Sequence, residues 1–162
     1  MKESLGQDDL ATIQKYSNAV YRMAYALVKN RYDADDIHQE VFAIWLVKKP
    51  DFANEEHERA WFMRVTINLC KNLWKSAWMR KTVGFSEDME MHAVPEAASE
   101  DDRIIEVVKT LPFPYRIVIH LFYYEEFSIK EMADILKMRP SAVRTRLSRA
   151  RAKLRELLEQ EW

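Results

Sequence analysis

Apolar residues recur every three or four positions along most of the chain, a spacing typical of amphipathic α-helices. This periodicity predicts helices over residues 10–29, 33–48, 55–79, 101–110, 112–125, 128–137 and 141–160. Residues 81–100 break the pattern, because they contain Gly84, Pro95 and several acidic side chains. The pattern therefore predicts an all-α protein with two small helical domains, residues 1–80 and 101–162, joined by an acidic linker over 81–100.

The composition of the 162-residue chain excludes several classes of protein. Its two glycines, Gly6 and Gly84, cannot form a glycine-rich phosphate-binding loop. A single cysteine, Cys70, excludes a disulfide scaffold, and we expect it to be buried because it falls on the apolar half of its helix. Without a membrane-length apolar run or a signal-peptide core, we expect a cytoplasmic protein with no membrane insertion.

The histidines give little support for catalysis. The segment His38-Gln-Glu40 resembles the His-x-Glu of zinc deaminases, but the paired cysteines of that site are missing. The other histidines do not recur at a metal-ligand spacing. We therefore predict no enzymatic activity, no catalytic residue, no metal and no cofactor.

Charge is distributed unevenly, although the net charge is only −1. Residues 81–126 carry four basic and ten acidic side chains, whereas residues 127–162 carry nine basic and five acidic ones. A basic segment of this kind is compatible with a nucleic-acid partner despite the near-neutral total.

The basic segment has the spacing of a helix-turn-helix motif. A short helix over Ser128–Leu136 is followed by a turn at Lys137–Pro140 and a longer helix from Ser141. Ser128 and Glu131 fit a capping box, Ser141 is a candidate N-cap, and the small Ala133 fits a close helix crossing.

The second helix of this motif is a candidate DNA-binding helix, because residues 141–155 carry six basic side chains and no acid. Its basic residues flank an apolar stripe on both sides, so the helix can enter a major groove and contact phosphates. The alternatives are a solvated helix face and a surface for an acidic protein partner. The candidate DNA-binding residues are Ser141, Arg144, Thr145, Arg146, Ser148, Arg149, Arg151 and Lys153.

A second candidate surface lies on helix 58–75, where Phe62, Val65, Leu69 and Leu73 are the predicted buried side. Across the helix, aromatic, amide and cationic side chains can stack on unpaired bases, contact base edges and hold phosphates. The alternative is that the tryptophan packs against a neighbouring helix. We call this surface the Trp61 face, and its residues are Trp61, Arg64, Asn68, Lys71, Asn72 and Lys75.

The helix over 33–48 carries Asp36, Gln39 and Glu40 on one side and a broad apolar arc on the other. A core helix in a small bundle explains most of this arrangement, so the pattern by itself does not indicate a binding site.

The order of these segments resembles bacterial RNA polymerase sigma factors of the extracytoplasmic-function group. Asp33-Ala-Asp-Asp-Ile-His-Gln-Glu-Val-Phe-Ala-Ile-Trp45 is similar to the polymerase-docking helix of that family, and Trp61-Phe-Met-Arg-Val-Thr-Ile-Asn-Leu69 to its promoter-melting segment. Leu111-Pro-Phe-Pro-Tyr-Arg116 and Ser148-Arg-Ala-Arg-Ala-Lys-Leu154 resemble its second domain. The chain departs from the family at Lys137 and Glu126, where glycine is frequent, at Phe122, where a basic residue is frequent, and at Ser141-Ala142, where a Gly-Thr pair is frequent.

The resemblance implies a sigma factor that directs core RNA polymerase to promoter DNA and is held inactive by an anti-sigma factor. It implies that Asp33, Asp36, Gln39 and Glu40 bind the polymerase, that the Trp61 face melts the minus-ten element, and that the helix-turn-helix binds the minus-thirty-five duplex. The alternative is a helix-turn-helix regulator that binds duplex DNA without polymerase.

Overall fold

The computed structural model describes residues 6–82 and 100–161, and all regular secondary structure in these ranges is helical. The all-α prediction is therefore confirmed. The predicted linker lies almost entirely outside the described residues. The elements are α1 (Gln7–Val28), α2 (Arg31–Lys48), α3 (Glu55–Thr82), α4 (Glu100–Lys109), α5 (Phe113–Ile119), a π-helical segment (His120–Tyr124), α6 (Ile129–Leu136) and α7 (Pro140–Glu161).

The chain divides into two compact units, Met1–Cys70 and Lys71–Trp162. In the first unit, the ring of Phe62 is the centre of an aromatic cluster. It stacks on Tyr16 with ring centroids 4.5 Å apart and also contacts Phe42 and Trp45. The Tyr16 hydroxyl donates a hydrogen bond of 2.6 Å to Glu58, and burial together with this carboxylate raises the pKa of Tyr16. These contacts join α1, α2 and α3 around one core.

The start of α2 differs from the prediction. The helix begins at Arg31, two residues before Asp33, because the Asn30 side chain accepts a hydrogen bond from the Asp33 backbone N–H at 2.8 Å. The Asn30 amide also donates to the Asp33 carboxylate at 2.8 Å. Asn30 is therefore the N-cap that the sequence pattern missed.

The buried face of α3 was predicted incorrectly. Only Phe62 of the four expected residues is buried, while Val65, Leu69 and Leu73 are half-buried. Thr66 can be buried because its hydroxyl donates to the Phe62 carbonyl at 2.6 Å. Apolar side chains surround much of this helix, so periodicity did not single out the face that packs. The residues buried in the core are Phe62, Met63, Thr66, Ile67 and Cys70.

In the second unit, the capping box at the start of α6 is confirmed. The Ser128 hydroxyl accepts from the Glu131 backbone N–H at 3.1 Å, and the Glu131 carboxylate accepts from the Ser128 N–H at 2.9 Å. Ser141 as an N-cap is wrong, since α7 begins one residue earlier at Pro140, a residue that suits the first helical position.

The helix predicted over 112–125 is also different, because α5 ends at Ile119 and the chain continues as a π-helical segment. There the Glu125 backbone N–H donates to the His120 carbonyl at 3.0 Å, five residues back. The His120 ring and the Glu125 carboxylate are both buried and lie 2.8 Å apart. This buried pair accompanies the wider helical turn.

Two family departures fall at positions with left-handed backbone conformation. Lys137, which follows α6, has a φ of 54°, and Glu126, which follows the π-helical segment, has a φ of 60°. A side chain makes this conformation costly, and glycine does not carry that cost.

We expect Lys137→Gly to raise the free energy of unfolding by about 0.5–1 kcal/mol, because relief of the left-handed strain exceeds the entropy that glycine loses. Thermal unfolding followed by circular dichroism measures this. Lys137→Ala keeps the strain and removes the same side chain, so it should not stabilise the protein. A lower melting temperature for Lys137→Gly than for Lys137→Ala would contradict this explanation.

Candidate nucleic-acid interface

The basic surface of α7 is accessible over most of its predicted residues. Ser141, Arg144, Thr145, Ser148 and Arg149 are exposed. Beneath them, α7 buries Val143, Leu147 and Ala150 in the core of the second unit. The burial of this stripe orients the basic side chains outwards.

Three of the predicted DNA-binding residues are less available. Arg151 is exposed, but its Nε donates to the Tyr123 hydroxyl at 2.6 Å and its guanidinium lies over the Phe122 and Tyr123 rings. Lys153 is half-buried and its Nζ lies 3.6 Å from the Glu156 carboxylate, while Arg146 is half-buried beside a groove. The position Phe122, where the family often has a basic residue, thus supplies an aromatic partner for a cation on α7.

Sequence analysis missed Arg139, in the turn before α7. This exposed arginine lines the same groove as Arg146 and Arg149, together with the Tyr115 ring from the start of α5. The helix-turn-helix pattern placed Arg139 in the turn, and only the fold shows that α5 lies alongside it.

The Trp61 face lies opposite the buried side of α3. Asn68, Asn72 and Lys75 are exposed, whereas Trp61, Arg64 and Lys71 are half-buried. The Trp61 ring meets Phe52 and Phe62 edge-on, at centroid distances of 6.0 and 5.1 Å. The tryptophan therefore packs partly against the core and partly faces solvent. Burial lowers the pKa of Lys71, and the positive charges of Arg146 and Lys75 lower it further.

The polar side of α2 forms an exposed stripe at helical spacing. Asp36, Gln39 and Glu40 are exposed there, and Tyr32 and Val47, each 85% exposed, lie at its two ends. We call these five residues the α2 stripe. Asp33 is half-buried and its carboxylate is held by the Asn30 amide. Among the described residues, no cation forms an ion pair with Asp36 or Glu40.

His38 is part of the packing between α1 and α2. Its Nε2 lies 2.9 Å from the Ser17 hydroxyl, and its ring contacts Phe42 at a centroid distance of 5.0 Å. Burial lowers the pKa of His38, despite the opposing charge of Asp35. In the described ranges, no group of acidic, histidine and cysteine side chains has the geometry of a metal site. No helix of the described ranges is both long and apolar enough to span a membrane.

We expect acidification to destabilise the first unit through His38. A pKa below the unfolded value means that the His38 contribution is intact above about pH 6.5 and is lost as the pH falls through the folded pKa. His38→Gln should therefore weaken the decline in unfolding free energy between about pH 7 and about pH 5, measured by denaturant titration. The exposed His57 is the matched control, and equal pH slopes for wild type and His38→Gln would contradict the expectation.

Two protein-family models match this chain. The family model of sigma-70 region 2 matches residues 12–80, which contain the α2 stripe and the Trp61 face. The model of sigma-70 region 4 matches residues 101–154, which contain the helix-turn-helix. The two matches follow each other in one chain.

The individual relatives of this chain are RNA polymerase sigma factors. The chain is 30% identical to an RNA polymerase sigma-E factor of Streptomyces antibioticus over 155 residues, which cover 91% of this chain and 82% of the relative. It is 27% identical to the ECF RNA polymerase sigma factor SigW of Bacillus subtilis over 168 residues, covering 94% and 90%.

Among solved structures, the fold is similar to that of the sigma factor RpoE from Bartonella quintana, solved in complex with the anti-sigma factor NepR. The TM-score is 0.79 at 20% identity, covering 95% of this chain and 98% of the other. CnrH, solved with the cytosolic domain of CnrY, gives a TM-score of 0.70 at 24% identity, with 95% and 89% coverage. The chain belongs to the sigma-70 family of RNA polymerase sigma factors, in the extracytoplasmic-function group.

Proposed function

We propose that this sigma factor uses three helical surfaces for three steps of promoter recognition. Residues 1–80 dock on core RNA polymerase and open the minus-ten element, residues 81–100 link the domains, and residues 101–162 bind the minus-thirty-five duplex. The observation that carries the proposal is the occurrence, in one chain and in this order, of an exposed acidic stripe, an aromatic and amide face, and a basic helix-turn-helix.

In the docking step, the α2 stripe provides unpaired negative charge between two exposed apolar side chains. Asp36 and Glu40 attract a basic surface, while Tyr32 and Val47 lose their contact with water when a partner covers them. The stripe therefore fits a partner helix with cations at its centre and apolar residues at either end, and the proposed partner is core RNA polymerase.

In the DNA-binding steps, the basic helix holds the duplex while the Trp61 face stabilises unpaired bases. Arg144 lies near the start of α7, where recognition helices contact base edges, and Arg149 lies further along, where phosphate contacts are common. The protein supplies binding free energy that favours the open promoter and carries out no covalent chemistry. We place this activity in the cytoplasm, where chromosomal promoters are transcribed.

We also infer that an anti-sigma factor regulates this protein. Two sigma factors of similar fold were solved with NepR and with the cytosolic domain of CnrY. The exposed surfaces of this chain are charged and aromatic, so a partner that covers them would prevent both polymerase and DNA binding.

Reconstitution with core RNA polymerase tests the proposed function. Polymerase with this protein should initiate at specific promoters, and polymerase alone should not. The alternative, a regulator that acts on duplex DNA without polymerase, predicts tight sequence-specific duplex binding and no gain in initiation. That result would mean that the protein acts as a duplex-binding regulator and not as a sigma factor.

A further inference from the structure

A groove of about 770 Å³ lies within the second unit, between the start of α5 and the first turns of α7. One wall consists of Pro112, Pro114 and Tyr115, which offer ring surfaces and, for the two prolines, no backbone N–H. The other wall consists of α7 and the turn before it. The groove thus joins an apolar wall to the basic surface of the recognition helix.

Three guanidinium groups line the groove, from Arg139, Arg146 and Arg149. No carboxylate of the described residues forms an ion pair with any of them. Like charges around one groove repel each other, and an anion between them removes this repulsion. The charge arrangement therefore favours an anionic ligand.

The uncharged residues that line the groove indicate which kind of anion it can bind. The Thr145 hydroxyl already donates to the Ser141 carbonyl at 3.0 Å, whereas the hydroxyls of Ser141 and Tyr115, which also line the groove, can donate to a ligand. A phosphodiester strand offers non-bridging oxygens to cations and hydroxyls, and the adjoining deoxyribose offers an apolar face. These two features match the basic and the apolar wall respectively.

We propose that this groove holds the sugar–phosphate backbone of the minus-thirty-five duplex, and that Arg139 is a DNA-binding residue. The inference rests on the proposed function, and it adds a residue and an orientation to it. The flank of α7 that carries Arg146 and Arg149 lies against the backbone, whereas Arg151 stays with Tyr123. Phosphate contacts in the groove then set the register in which Arg144 meets the bases.

The test is the salt dependence of binding to a fluorescent minus-thirty-five duplex, measured by anisotropy with the full chain. Loss of one phosphate contact in Arg139→Ala should reduce the slope of log K against log salt by about 0.9 and weaken matched and mismatched duplexes by the same factor. Arg139→Lys keeps the charge and should keep the slope. Lys48→Ala, which removes an exposed cation from α2, controls for net charge.

An unchanged slope for Arg139→Ala, or a loss equal to that of Lys48→Ala, would overturn the proposal. A binding arm with fluorescent ATP distinguishes the source of phosphate. If ATP binds wild type but not Arg139→Ala, and binds without displacing the duplex, the groove holds a free nucleotide and the backbone assignment is wrong. Failure of the proposed function would give a different result, because the wild-type protein would then not support initiation with core polymerase.

Discussion

Replacing both Asp36 and Glu40 with lysine is expected to abolish binding of this sigma factor to core RNA polymerase. The two carboxylates are exposed on the α2 stripe, and like charges placed across an interface cost several kcal/mol. We expect the affinity to fall by at least about 100-fold, measured by co-purification or by anisotropy with labelled protein. Since neither carboxylate packs in the core, the helical circular dichroism signal should be unchanged.

A second double variant separates docking from net charge. Asp51→Lys with Glu56→Lys changes the same number of exposed acidic residues in the first unit, outside the stripe. This variant should retain polymerase binding. If both double variants bind equally well, α2 is not the docking helix, and if both lose binding, the effect is one of overall charge.

The exposure of the apolar residues at the two ends of the α2 stripe could not be predicted from the sequence pattern. Val47 and Tyr32 belong to a helix whose apolar residues surround much of its circumference, so periodicity could not tell an exposed valine from a buried one. The buried set includes Ala34 and Phe42, and the Phe42 ring contacts Phe62 of α3. Tertiary packing therefore decided which apolar residues remain accessible.

Local signals in the sequence predicted local structure well. The Ser128 capping box needs only residues three positions apart, and it was confirmed with both hydrogen bonds. The π-helical segment could not be predicted in this way, because the pairing of His120 with Glu125 depends on burial by the rest of the second unit. The sequence pattern predicted that a helix forms here, but it did not predict the π-helical turn within it.

The same limit applies to the candidate DNA-binding residues. Charge and helical spacing on α7 identified the basic surface, but they assigned Arg149 and Arg151 the same DNA-binding role on its two flanks. The fold distinguishes them, because Tyr123 binds the Arg151 guanidinium while Arg149 lines the groove. Arg139 was missed because a turn residue has no place in a helical periodicity, and its relation to Tyr115 exists only in the folded chain.

The half-burial of Trp61 gives this residue two roles that must be separated. Its edge contacts with Phe52 and Phe62 mean that Trp61→Ala should lower the free energy of unfolding by about 1–2 kcal/mol, less than for a fully buried tryptophan. Asn68 is exposed on the same face, so Asn68→Ala should leave the melting temperature unchanged. The asparagine variant therefore reports on the proposed base contact without a change in packing.

Trp61→Ala is expected to reduce promoter opening about tenfold while leaving the closed complex nearly intact. An aromatic ring that stacks on an unpaired base contributes about 1–3 kcal/mol, and this free energy is gained only after the base pair has opened. Permanganate reactivity of unpaired thymines measures opening, and a pre-melted template should restore most of the activity. Phe52→Ala removes an edge contact with Trp61 and should lower stability without the opening defect. If Trp61→Ala behaves like Phe52→Ala and the pre-melted template gives no recovery, then Trp61 is a packing residue only.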